Sequence, residues 1–208
     1  MNLILVRHGE TDWNRTGRCQ GISDVVLNDN GKKQALELGV CLKGEKISAV
    51  YSSDLARAMS TAEEIAKHHG LTVETDSDLR EMDQGEFEGL LFTEIRERFA
   101  DIMTQWRDSP ETLRIPSGES LSEVRERALR AFGRLCERHD GETVVAVSHN
   151  LTITTLLCEF TGIGLSGFRS FGIQAASRST VCLSEGKVVV VDLNDVSHLT
   201  PVDALPHF

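Results

Sequence analysis

Leu3-Ile4-Leu5-Val6-Arg7-His8-Gly9-Glu10-Thr11 is the stretch that decides the reading of this 208-residue chain. Four apolar residues form a run that suits a strand buried on both faces, and the run ends in a cation and an imidazole. In open α/β sheets the ligand crevice lies outside the carboxyl ends of the strands, so this strand delivers Arg7 and His8 to that crevice. A second run, Thr143-Val144-Val145-Ala146-Val147, repeats the pattern and ends in Ser148-His149-Asn150. If the two strands are parallel neighbours, both imidazoles face one pocket.

Around these runs the pattern alternates strand and helix. Strands are expected at 2–7, 47–51, 71–75 and 143–147. Helices are expected at 29–43, with Asn28 or Asp29 as cap, then at 55–69 closed by Gly70, at 92–106, 120–139 and 151–160. Near the end, 179–183 and 188–193 flank Ser184-Glu185-Gly186-Lys187 and read as a β-hairpin, an antiparallel addition to a parallel sheet. The expectation is one α/β domain over 1–208. Residues 90–117 would elaborate it as a lid over the site, and the tail from about Thr200 to Phe208 would be loosely held.

Composition narrows the function. A net charge of −10 argues against nucleic-acid or anionic-membrane partners, so any anion site must be a local cationic pocket. The five cysteines, Cys19, Cys41, Cys136, Cys158 and Cys182, show no C-x-x-C or zinc spacing and read as reduced thiols. No apolar stretch approaches the roughly 20 residues that span a bilayer. The amino terminus runs straight into a strand, without a signal-peptide pattern. A cytoplasmic location is expected.

Arg7 beside His8 points to an anion, because a buried arginine without one is costly. A third strand end precedes Ser52-Ser53-Asp54-Leu55-Ala56-Arg57. Arg57 either returns to the crevice or pairs at the surface with Asp54 or Glu63, and spacing leaves both readings open. Two arginines and a helix N-terminus suit a phosphate. A phosphoryl group held there by Arg7, Arg57 and His149 has His8 as its in-line nucleophile. A leaving alkoxide needs a proton, and the carboxylates of Leu79-Arg80-Glu81-Met82-Asp83 are at hand. Position alone does not choose between Glu81 and Asp83.

Other motifs fail on context. Gly162-Ile163-Gly164-Leu165-Ser166-Gly167 matches G-x-G-x-x-G but follows a helix rather than a strand. No phosphate-binding G-x-x-x-x-G-K-[ST] loop is present, and no cysteine is followed six residues on by arginine. His8 and Glu10 as metal ligands are disfavoured by Arg7, which repels a cation. His68 and His69 read as helix-end dipole partners. His139, His198 and His207 read as surface or packing residues.

With these motifs in order, the chain resembles the histidine phosphatase superfamily, in the branch of cofactor-dependent phosphoglycerate mutases and small bacterial phosphatases. The resemblance rests on Leu5–Asn14, Ser52–Ala58, Leu79-Arg80-Glu81 with Gly85 and Glu88-Gly89, and Val147-Ser148-His149. It implies a three-layer α/β/α sandwich with a mostly parallel sheet, and catalysis with no metal and no cofactor. His8 would carry the phosphoryl group. Arg7, Arg57, His149 and Asn14 would hold it, and Glu81 rather than Asp83 would act as acid and then base. Gln20 and Gly21 match a loop that reaches the phosphate or substrate, and Asn150, beside His149, joins them as a candidate contact.

The short span between Glu81 and residue 120, with Ile115-Pro116-Ser117-Gly118-Glu119-Ser120-Leu121, resembles the phosphatases, including α-ribazole phosphatases, more than the mutases. The expected substrate is a small phosphorylated metabolite. α-Ribazole 5′-phosphate leads, with phosphoserine, a broad range of esters, or phosphoglycerate mutation as alternatives. Leu90, Leu91, Phe92, Phe99, Met103 and Trp106 supply apolar surface for an uncharged or aromatic leaving group, or pack the lid. Self-association is open, and the hairpin edge at 179–193 is a candidate surface for a homodimer.

Overall fold

The computed structural model describes residues 1–201. Six strands form one sheet in the order β3-β2-β4-β1-β5-β6. They are β1 (Asn2–Arg7), β2 (Ala49–Ser52), β3 (Val73–Thr75), β4 (Thr143–Ser148), β5 (Arg178–Ser184) and β6 (Lys187–Asp195). The first four run parallel, and β5 and β6 add the antiparallel hairpin. The α/β class and the mixed sheet are therefore as the sequence indicates.

Helices α2 (Asp29–Leu42) and α3 (Ala56–Ala66) cover one face, and α6 (Leu121–Arg138) and α7 (Asn150–Thr161) the other. Leu3 and Leu5 of β1, with Val144 and Ala146 of β4, pack toward α6 and α7. Ile4 and Val6, with Val145 and Val147, pack toward α2 and α3. Burial on both faces is why these strands read as unbroken apolar runs.

The register sets Arg7 opposite Ser148, so the chain leaves both strands at the same level, at His8 and His149. No helix among the described residues is long and apolar enough to cross a membrane.

Two sequence expectations change. Residues 92–106 form two helices, α4 (Phe92–Arg98) and α5 (Ala100–Asp108), because Phe99 leaves the helical region at φ −127°, ψ 39°. Its ring packs 4.9 Å from that of Phe87, so tertiary packing outweighs helical periodicity at that residue. A short helix, α1 (Asp12–Thr16), follows the His8 loop; Thr11 and Asn14 cap it reciprocally, and Gly17 ends it at φ 69°. The expected tail lies outside the described residues from 202 onward. Thr200 itself is held, its N–H and hydroxyl donating to the Glu37 carboxylate at 3.2 and 2.6 Å.

The first turn of α2 presses directly on the loop after β1. Asn28 caps α2 through the Gly31 N–H, and its own N–H and side-chain amide donate to the Glu10 carbonyl and carboxylate. A Cβ on Gly9 would sit 2.5 Å from the Gly31 carbonyl oxygen, and one on Gly31 would overlap the Glu10 carbonyl. In an open helix Gly→Ala stabilises by about 1 kcal/mol. Here the backbone contact reverses the sign. Gly31→Ala is expected to cost about 1–3 kcal/mol, which thermal unfolding reads as about 2–4 °C lost per kcal/mol.

Candidate active site

His8 sits at the carboxyl end of β1, 2% exposed, with its Nδ1 2.7 Å from the Gly9 carbonyl oxygen. A carbonyl only accepts, so Nδ1 carries the hydrogen and the neutral ring presents an unprotonated Nε2. Burial, then Arg57 and Arg7, push the His8 pKa well below the usual imidazole range, against the Gly9 hydrogen bond. The ring is therefore neutral at physiological pH.

His149 follows β4, fully buried, with its ring centroid 5.0 Å from that of His8. Neither of its nitrogens has a protein partner. Burial first, then Arg57 and His8, depress its pKa as well.

Arg57 is fully buried, which removes the surface-pair reading. Asp54 pairs instead with Arg80. The two terminal nitrogens of Arg57 donate to the carbonyls of Gly21 and Ser23 at 2.6 and 2.8 Å. Burial lowers its pKa to about 10, which leaves it a cation. Arg7 donates to the Ile173 carbonyl at 2.5 Å. The Nε of both arginines is buried without a partner. Unpartnered buried donors on two arginines, beside an unpartnered imidazole, are costly unless an anion is bound. The donor set fits the oxygens of a phosphoryl group.

Glu81 lies in the irregular segment between β3 and α4, 6% exposed. Its carboxylate accepts from the Met82 and Leu151 N–H groups at 2.9 and 3.2 Å. Burial raises its pKa, against those hydrogen bonds and the two arginines, so it is poised to hold a proton. Asp83 does not enter the cavity: its Oδ1 accepts from Gly85 at 2.8 Å and its N–H donates to Glu119. Geometry thus separates two carboxylates that sequence position left equal.

Arg7, His8, Asn14, Gln20, Glu81 and Asn150 line one cavity of about 490 Å³. Arg57, His149 and Gly21 stand behind its wall. Asn14 and Gln20 are tied together through the Thr11 hydroxyl, at 3.1 and 2.6 Å. Gly21 has no room for a side chain, since a Cβ there would lie 2.7 Å from the backbone of Met82 and Gln84.

The outer wall is apolar, built by Phe87, Phe92, Met103, Trp106, Ile115 and Phe168, with Trp106 edge-on to Phe168 at 5.2 Å. Among the expected lid residues, Phe92, Met103 and Trp106 face the cavity, while Phe99 packs on Phe87.

Two supporting residues have a signal that sequence reasoning passed over. Glu88, known there only as part of a motif, accepts from the N–H groups of Ile22 and Ser23 and from the Ser23 hydroxyl, and so holds the loop that meets Arg57. Arg127, on the polar edge of the α6 stripe, is 9% exposed and bonded to the Glu81 segment. A charge beside the apolar positions Val124 and Ala128 was the available hint.

Among the described residues no cluster of three or more His, Cys, Asp or Glu is arranged to hold a metal. The G-x-G-x-x-G stretch begins at the α7 cap, Gly162 at φ 71°, and runs into a 3₁₀ turn at Leu165–Ser170.

Residues 3–196 match the Histidine phosphatase superfamily (branch 1). The chain belongs to that superfamily and is by class a phosphoric monoester hydrolase. It is 38% identical to Phosphoserine phosphatase 1 of Hydrogenobacter thermophilus, covering 96% of this chain and 94% of that protein. It is 35% identical to the Metal-independent phosphoserine phosphatase of Arabidopsis thaliana, covering 98% and 85%. Among solved structures, Bacillus stearothermophilus YhfR superposes with a TM-score of 0.90 at 33% identity, over 95% and 98% of the two chains.

The depressed histidines carry a sign for stability. Below about pH 6.5 the unfolded chain binds protons that folded His8 and His149 refuse, so stability falls as pH falls. Glu81 acts oppositely, its contribution being lost as pH rises from the usual carboxylate range through its raised folded value. Removing one histidine is therefore expected to shrink the loss of unfolding free energy between pH 7 and pH 5. Urea denaturation of His149→Asn beside the parent protein at both pH values checks this.

Proposed function

We propose that this chain is a metal-independent phosphomonoesterase that hydrolyses small phosphate esters through a phosphohistidine at His8. The observation that carries the reading is the Nδ1 hydrogen held on the Gly9 carbonyl, which leaves a neutral Nε2 at a cavity lined by Arg7 and backed by the buried Arg57.

Nε2 attacks phosphorus, and the P–O ester bond breaks as Glu81 gives its proton to the departing oxygen. Arg7, Arg57 and His149 stabilise the charge on the phosphoryl oxygens, with Asn14 beside them. Gln20, Gly21 and Asn150 shape the approach of the ester. Water then attacks phosphorus as the Glu81 carboxylate takes its proton. The P–N bond breaks, and His8 and inorganic phosphate are restored. The cationic surroundings do the electrostatic work a metal does elsewhere, which favours the metal-independent reading.

The chain acts as one catalytic domain, with residues 90–117 as its lid. Its five free cysteines favour the cytoplasm. Val189, Val191 and Leu193, exposed on the edge strand β6, favour self-association there.

For the substrate, the apolar outer wall favours an ester whose alcohol carries an aromatic body, as α-ribazole 5′-phosphate does. The two relatives named phosphoserine phosphatases favour phosphoserine. Phosphate release in EDTA, over a panel of these two esters, 3-phosphoglycerate and p-nitrophenyl phosphate, decides between them. Release without metal is expected, absent in folded His8→Ala. Interconversion of phosphoglycerates with little free phosphate would make the chain a mutase instead.

Glu81 predicts a second signature. In kcat/KM the acid limb belongs to His8, lost as pH falls and the ring protonates. The alkaline limb belongs to Glu81, lost as pH rises and the acid ionises. Glu81→Gln is expected to abolish the alkaline limb and to slow alkyl phosphates by about 10²–10⁴-fold, with a much smaller effect on p-nitrophenyl phosphate. Equal losses on both substrates would remove Glu81 as the acid.

A further inference from the structure

The segment that carries Glu81 has no strand partner. β3 ends at Thr75, and after the turn at Ser77–Leu79 the chain runs irregularly to Gly85. Its backbone is held by side chains instead. The carbonyl oxygens of Asp78, Leu79, Arg80 and Glu81, four in succession, each accept from a side chain outside the segment.

Arg127 of α6 supplies three of these bonds, to Asp78 at 2.9 Å, Arg80 at 2.6 Å and Glu81 at 2.9 Å. Its other two N–H groups meet the Glu119 carboxylate, both at 2.9 Å. All five guanidinium donors are used. Ser148 and Thr152, on either side of His149, hold the Leu79 and Arg80 carbonyls at 2.7 and 2.6 Å. Glu119 in turn accepts the Asp83 N–H and donates its own N–H to the Asp83 carbonyl, each at 2.9 Å.

We propose that Arg127, oriented by Glu119, is the positioning residue of the proton donor: its planar fork fixes the Glu81 backbone so that the carboxyl meets the leaving oxygen. The inference rests on Glu81 being the acid. Arg127 is not on the cavity wall and touches no reacting atom. A guanidinium is the one side chain that spans three carbonyls and a carboxylate at once, a geometry an ammonium does not reproduce. Misplacing a catalytic group by about 1 Å costs on the order of 10²-fold in rate. That loss should fall only on steps that need the proton.

Arg127→Lys keeps a cation beside Glu119 and removes the fork. The expected result is kcat for an alkyl phosphate lowered about 10- to 100-fold, with KM and the rate on p-nitrophenyl phosphate within about threefold of the parent. In a Glu81→Gln background the same substitution should cost little more, because the acid it positions is gone. A merely structural role would lower both substrates alike and add in full to Glu81→Gln; either outcome overturns the proposal. If Arg127→Lys does not fold, as judged by thermal unfolding, Glu119→Gln is read on the same two substrates, with the same selectivity expected. The underlying reading fails separately: Glu81→Gln alone would then show no dependence on leaving group.

Discussion

The pairing of β1 with β4 is the constraint on which the rest of this molecule depends. Two parallel apolar strands, in register with Arg7 opposite Ser148, end at one level and turn outward together. His8 and His149 follow by geometry alone, their ring centroids 5.0 Å apart. Helices cover both faces of the pair, so water reaches the histidines only from the carboxyl edge. The same burial that stabilises the sheet keeps both imidazoles neutral.

The site is a balance of desolvated charges. Arg57 and Glu81 are buried beside the half-buried Arg7, and Glu81 and the two arginines shift one another. The arginines hold Glu81 back toward its ionised form, while burial pushes the other way, and Glu81 helps keep the arginines charged. The electrostatics thus suits an arriving phosphoryl dianion, which satisfies donors that the protein leaves unpaired.

Structural polar groups are placed with equal care. Glu88 ties the Ile22-Ser23 backbone, and Ser23 with Gly21 accepts from Arg57. The Arg127–Glu119 pair ties the other side, under Glu81. The loop that meets Arg57 and the segment that carries Glu81 are each held by a charged side chain from another element. The apolar wall of Phe92, Met103, Trp106 and Phe168 adds shape rather than charge.

The sequence by itself determined the layered α/β class, the strand ends and which residues stand there as candidates for the chemistry. Their signals are local: apolar runs of β-branched residues, caps, and a motif directly after a strand. Tertiary structure alone decided the rest. Whether Arg57 faced the crevice or the solvent, and whether Glu81 or Asp83 entered it, depended on how distant loops pack, which residue spacing does not encode. The break at Phe99 and the short helix after Thr11 came from a ring contact and a two-residue cap, each too small to shift a periodic pattern. The bonds of Arg127, Ser148 and Thr152 to four consecutive carbonyls required α6, β4 and α7 to converge on one segment. That convergence is a property of the folded chain, because side chains 46 to 72 positions away take the place of a strand ladder.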